Sequence, residues 1–152
     1  MKLSTTRRLP ALLLSLSAIA AHAGDAPVVS QAWARATPPG VEVGAAYMVI
    51  TGGSRDDRLV GASTGRASMT HLHDVAEEGG VARMRAVEAV AIPARQKVTL
   101  APKGLHVMLM GLEAPLVADE EFTLTLQFAE SPPQAVKVRV RPAAAEQPSQ
   151  QH

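Results

Sequence analysis

No cysteine occurs among the 152 residues, so no disulfide stabilises the chain and no thiolate is available as a nucleophile or a metal ligand. A sustained helical period is missing as well; no segment keeps apolar residues at i, i+3, i+4 and i+7 over three turns. There is no apolar run of the roughly 18 to 20 residues that a membrane-spanning helix needs. Charge is nearly balanced, at 15 Lys and Arg against 14 Asp and Glu. Three of the basic residues, Lys2, Arg7 and Arg8, lie in the first 23 positions, which hold no acidic residue. Without that segment 12 basic residues face 14 acidic ones, a formal charge of −2 that gives no footprint for nucleic acid. No paired carboxylate or phosphate-binding loop argues for catalysis.

The first residues read as an export signal. Lys2, Arg7 and Arg8 precede an apolar stretch from Ala11 to Ala21, and Ala21-His22-Ala23 has the form of a cleavage site before Gly24. Residues 1–23 read as a cleaved signal peptide that sends the protein to the periplasm with no membrane anchor left behind, and the Arg7-Arg8 pair leaves both general and twin-arginine export open. The remaining 129 residues suit one domain. From residue 143 the composition shifts to Ala, Gln, Pro and Ser, which predicts a disordered tail over 143–152 and bounds the domain at 24–142.

That domain reads as all-β. Phe122, Leu124, Leu126 and Phe128 alternate with Glu121, Thr123, Thr125 and Gln127, the period of a half-buried strand. Val136, Val138 and Val140 repeat the pattern after a Ser131-Pro132-Pro133 turn, predicting a terminal hairpin. Further runs at Val28 to Ala36, Gly44 to Thr51, Arg58 to Ala62, Ala67 to Val75, Val81 to Val90, Lys97 to Ala101 and Leu105 to Met110 are closed by Gly, Pro, Asp or Ser. Seven to nine short strands at this spacing predict a β-sandwich.

Chemistry concentrates in histidine and methionine. Outside the leader and tail the histidines are His71, His73 and His106, and methionines stand near them. On a strand His106 and Met108 project together. A Glu77-Glu78-Gly79-Gly80 turn would return Met84 close to His73. Two imidazoles and two thioethers, from His73, Met84, His106 and Met108, make a neutral four-coordinate set, and thioether sulfur suits Cu(I) while being a poor partner for Ca²⁺, Mg²⁺ or Zn²⁺. His71 shares the face of His73, as a surface residue or an accessory ligand. Met110 continues the face of Met108, but the burial habit of methionine assigns it, with Met48 and Met69, to the core.

The order His73, ten residues, Met84, twenty-one residues, His106, one residue, Met108 resembles the signature of the PCu(A)C family of periplasmic copper chaperones. Further blocks are similar to that family: Ala32-Trp33-Ala34-Arg35-Ala36-Thr37-Pro38-Pro39-Gly40, Ala45-Ala46-Tyr47-Met48, Asp57-Arg58-Leu59-Val60-Gly61-Ala62, and His106-Val107-Met108-Leu109-Met110-Gly111-Leu112. The resemblance covers nearly the whole domain. It implies a cupredoxin-like β-sandwich that binds Cu(I) near one end and delivers it to an acceptor such as the copper A domain of cytochrome c oxidase subunit II, sometimes with a Sco-type protein. The chain departs from the family at His71, where an acidic residue is usual, and at Lys103-Gly104, where a Gly-Gly turn is common. A third imidazole at His71 would admit Cu(II).

Three other readings compete. A blue-copper electron carrier needs a cysteine thiolate, which the chain lacks. A zinc-dependent hydrolase would use His71, His73 and His106 around a bound water, with Asp74 as the nearest candidate base. A periplasmic copper store or resistance protein would use the same four ligands as a chaperone and differ only in whether it hands the ion on.

Overall fold

The computed structural model describes residues 25–143; the expected leader over 1–23 and nearly all of the tail lie outside the described residues. Ten strands form: β1 (Val28–Arg35), β2 (Val43–Thr51), β3 (Asp57–Ser63), β4 (Ala67–Glu78), β5 (Val81–Ala86), β6 (Val90–Ile92), β7 (Lys97–Leu100), β8 (His106–Leu112), β9 (Glu121–Phe128) and β10 (Gln134–Arg141). No helix forms among the described residues. The number exceeds the expected seven to nine because the run from Val81 to Val90 is two strands. Its backbone leaves the β4 ladder after Ala86, where the Val87 amide donates to the Leu72 carbonyl, and Val90 then joins β3.

Hydrogen bonding is continuous in the order β5-β4-β8-β2-β1-β10-β9-β3-β6. β2 divides one edge between two partners, pairing Val43 to Ala46 with β8 and Met48 to Thr51 with β7. The β1–β10 pair is parallel, and the other pairings are antiparallel. The sheet folds over one core, and the Thr70 hydroxyl donates to the Ala62 carbonyl to tie β4 back to β3. Ala34, Met48, Ile50, Leu59, Leu72, Ile92, Leu100, Leu109, Leu124, Leu126 and Val138 are buried together, so β5 alone among the strands adds nothing to this core. Each large aliphatic side chain so enclosed stabilises the fold by about 1.5–3 kcal/mol relative to exposure.

The two hairpins expected from the sequence both form. In β9–β10, Val136 pairs with Leu124 and Val138 with Phe122. In β4–β5, Glu78 closes on Val81 across Gly79 and Gly80, whose φ angles of 60° and 78° satisfy a two-residue turn that needs positive φ at both central positions.

Candidate metal centre

Strand register builds the site. His73 lies opposite His106, His71 opposite Met108, and Met69 opposite Met110 across the β4–β8 ladder. On the other side of β4, Met84 of β5 lies opposite Val75, two residues beyond His73. Directly paired residues share a sheet face and alternate residues return to it, so His73, Met84, His106 and Met108 project from one face of three adjacent strands. The His73 and His106 rings meet edge to face with centroids 5.7 Å apart. Met84, His106 and Met108 line a pocket of about 330 Å³ with Tyr47 and Val75. The structure thus places all four candidate residues on one face, with His73 beside His106 and outside the pocket lining.

Each imidazole is prepared in a different way. His106 is 5% exposed, and its Nδ1–H donates to the Gly104 carbonyl at 2.9 Å. That bond selects the tautomer whose Nε2 keeps a free lone pair. The turn behind it is held by the Ala101 amide on the Leu105 carbonyl and the Gly104 amide on the Ala101 carbonyl. Lys103 takes φ 66° in this turn, a left-handed conformation that glycine adopts without strain. His73 has a buried Nδ1 with no hydrogen-bond partner. A buried nitrogen without a partner is costly, and a bound cation would satisfy it. Burial first, then repulsion from the His106 and His71 imidazoles, pushes the His73 pKa below the usual histidine value, which favours the neutral ring a metal needs.

The sequence did not single out the groups that hold the ligands in place. The Gly104 carbonyl orients His106, and Tyr47 packs 6.3 Å from its ring. Trp33 lies against Tyr47 at 4.6 Å, with the Arg141 guanidinium over the indole at 4.8 Å. Burial raises the Tyr47 pKa, outweighing the attraction of Arg35. The proximity of Tyr47 to His106 follows from extending the β2–β8 register by one residue, which needs the pairing and cannot be read from spacing.

Two expectations are corrected. Met48 enters the core at 1% exposure, whereas Met69 is 52% exposed and Met110 is only partly buried, because both stand on the ligand face of the β4–β8 ladder. Among the described residues no three His, Cys, Asp or Glu side chains group to hold a metal. The three-histidine zinc set therefore does not form: His71 directs its Nε2 to the Met69 sulfur at 2.9 Å. Asp74 points to the opposite face of β4, beside Arg85 at 3.9 Å.

A bent β-sheet with imidazoles and thioethers grouped on one face defines a cupredoxin-like domain with a candidate soft-metal site. The fold matches the copper-bound PCuAC domain from PmoF2 with a TM-score of 0.66 at 22% identity, over 80% of this chain and 97% of that one. It also matches the solution structure of Cu(I)-DR1885 from Deinococcus radiodurans with a TM-score of 0.63 at 37% identity, over 80% and 81%. "Putative lipoprotein Lxx21020" of Leifsonia xyli subsp. xyli (strain CTCB07) is 34% identical over 142 residues, 86% of this chain and 85% of that one. Residues 28–140 match the family described as "Putative lipoprotein LpqE-like". The chain belongs to this LpqE-like family.

Proposed function

We propose that this protein is an exported copper carrier that holds one Cu(I) with His73, Met84, His106 and Met108 and passes it to an acceptor, rather than an enzyme. The observation that carries the reading is the contrast within the donor set. His106 is buried and locked to Gly104, whereas Met84 is 55% exposed on a strand that is exposed throughout. The donor chemistry supports a soft monovalent ion, since two imidazoles and two thioethers add no negative charge. Cu(I) in DR1885 and copper in the PmoF2 domain agree with that choice.

Transfer follows from the same contrast. The exposed thioether of Met84 is the first donor an incoming ligand can replace, while the buried His106 imidazole, with half-buried His73 beside it, holds the ion until the exchange is complete. The periplasm is the compartment in which the leader would place the protein. There the proposed acceptor is the copper A centre of cytochrome c oxidase, loaded directly or with a Sco-type protein.

Two measurements test this. Met84→Leu with Met108→Leu should weaken Cu(I) binding by about 100-fold or more, as loss of half the donors exceeds the 10–100-fold typical of removing a supporting group; full affinity in the double variant ends the proposal. Mixing Cu(I)-loaded protein with apo copper A domain should metallate that domain faster than free copper buffered by a chelator does. Retention of the ion in that assay identifies a store.

A further inference from the structure

Of the five methionines among the described residues, only Met48 enters the core, and the other four share the face of His71, His73 and His106. The centre described above uses two of them. Met69 and Met110 remain, paired with each other across the β4–β8 ladder one step beyond the His71–Met108 pair. An exposed strand position gains little stability from methionine, and a 52% exposed Met69 leaves much of its apolar surface in water. His71 lies between this pair and the first centre, its ring stacked on His73 at 6.2 Å with an interplanar angle of 11°.

We propose that Met69, His71 and Met110 form a second station for a soft monovalent metal ion, next to the first along the same ladder. His71 Nε2 and Met69 Sδ already converge to 2.9 Å. With the ~2.0 Å metal–nitrogen and ~2.3 Å metal–sulfur lengths of tetrahedral zinc sites as a guide, two donors lie about 3.5 Å apart, so small side-chain rotations would admit an ion between them. Met110 supplies a third donor from a directly opposite position, where Cβ atoms are about 4.5–5.5 Å apart. Gly111 limits the row. Its φ of 65° breaks the alternation of β8, a Cβ there would come within 2.1 Å of Ser68 Oγ, and Leu112 returns to the core.

The Met69–Met110 row lies about 13 Å from the His73–His106 row, the rise of four residues along a strand, and the His71–Met108 pair stands halfway between them. An ion could therefore pass between them by exchanging one donor at a time. The outer station has one imidazole and two thioethers at an exposed edge, so it is the weaker of the two. The proposal rests on the reading of the first centre as a Cu(I) site, and its test separates them.

The full chain, labelled at its methionine methyl carbons, is titrated with Ag(I), a redox-silent soft monovalent probe, and followed by NMR. The first equivalent should move the Met84 and Met108 methyls, and the second should move those of Met69 and Met110 together with the His71 ring. Met69→Leu with Met110→Leu should abolish the second event or weaken it at least tenfold while leaving the first affinity unchanged. Met69 and Met110 methyls that stay in place through two equivalents overturn the second station, as does a double variant that still binds two. Movement of Met69 and Met110 with Met84 and Met108 unmoved would refute the first centre and, with it, the paired stations.

Discussion

The β9–β10 and β4–β5 hairpins both pair consecutive antiparallel strands and differ in what their side chains do. In β9–β10, alternation delivers Phe122, Leu124, Leu126, Val138 and Val140 to the core, and the turn is clamped from outside. The Asp57 carboxylate, 6% exposed, accepts from the backbone amides of Glu130 and Ser131 at 3.0 Å each. In β4–β5 every residue of β5 is exposed, and the turn relies on two glycines at positive φ. Val81 and Met84, both 55% exposed, add little to folding. The difference teaches where to look for function: a strand that buries nothing but presents methionine is there for what it binds.

Removing a core side chain should break the comparison most visibly. Leu124→Ala should cost about 2–4 kcal/mol in denaturant unfolding, while the fraction that remains folded binds Cu(I) with unchanged affinity. A parallel fall in affinity would show that the two regions are coupled.

Acid should act on the same hairpin through Asp57. Burial raises its pKa, but the hydrogen bonds from the Ser131 side chain and from the Glu130, Arg58 and Ser131 amides outweigh this and hold it below the usual carboxylate value. The unfolded chain then binds the proton more tightly than the folded one. The stabilisation is complete above a pH of about 4, near the unfolded value, and is lost as pH falls through the folded pKa. Asp57→Asn should lower stability at neutral pH by about 1.5–3 kcal/mol, the range for hydrogen bonds to a charged group, and flatten the acid limb of a plot of urea midpoint against pH. An acid limb as steep as that of the parent protein would assign it to other carboxylates.

Smaller effects belong to β4–β5. Gly80→Ala places a Cβ at φ 78°, which should cost about 1–2 kcal/mol and loosen the position of Met84, read as a modest fall in Cu(I) affinity. Met84→Leu should change stability by less than about 0.5 kcal/mol, since the position is exposed. A larger loss of stability in the metal-free protein would make Met84 a packing residue and erase the contrast between the hairpins.

The legibility of the chain followed the same division. Residues 121–128 and 136–140 announced their strands because a period of two is imposed by burial on one face and water on the other, and both the strands and their burial appear as expected. Gly79-Gly80 marked its turn because few other residues accept positive φ at both positions. The run from Val81 to Val90 misled because apolar content alone does not reveal that the backbone leaves one ladder after Ala86 and enters another at Val90. The burial habit of methionine predicts core positions for Met69 and Met110, but β4 and β8 turn these residues to the ligand face of the sheet.

Chain chemistry alone settled the absence of thiolate chemistry and pointed to the all-β class and the four candidate donors, since these depend on residue type, short periodicities and turn residues. Tertiary structure decided which donors face each other, that Gly104 orients His106, that His73 keeps a buried nitrogen without a partner, and that His71 turns to Met69. Those facts depend on register between strands that are distant in sequence, and a shift of one residue in the pairing would send every one of these side chains to the opposite face.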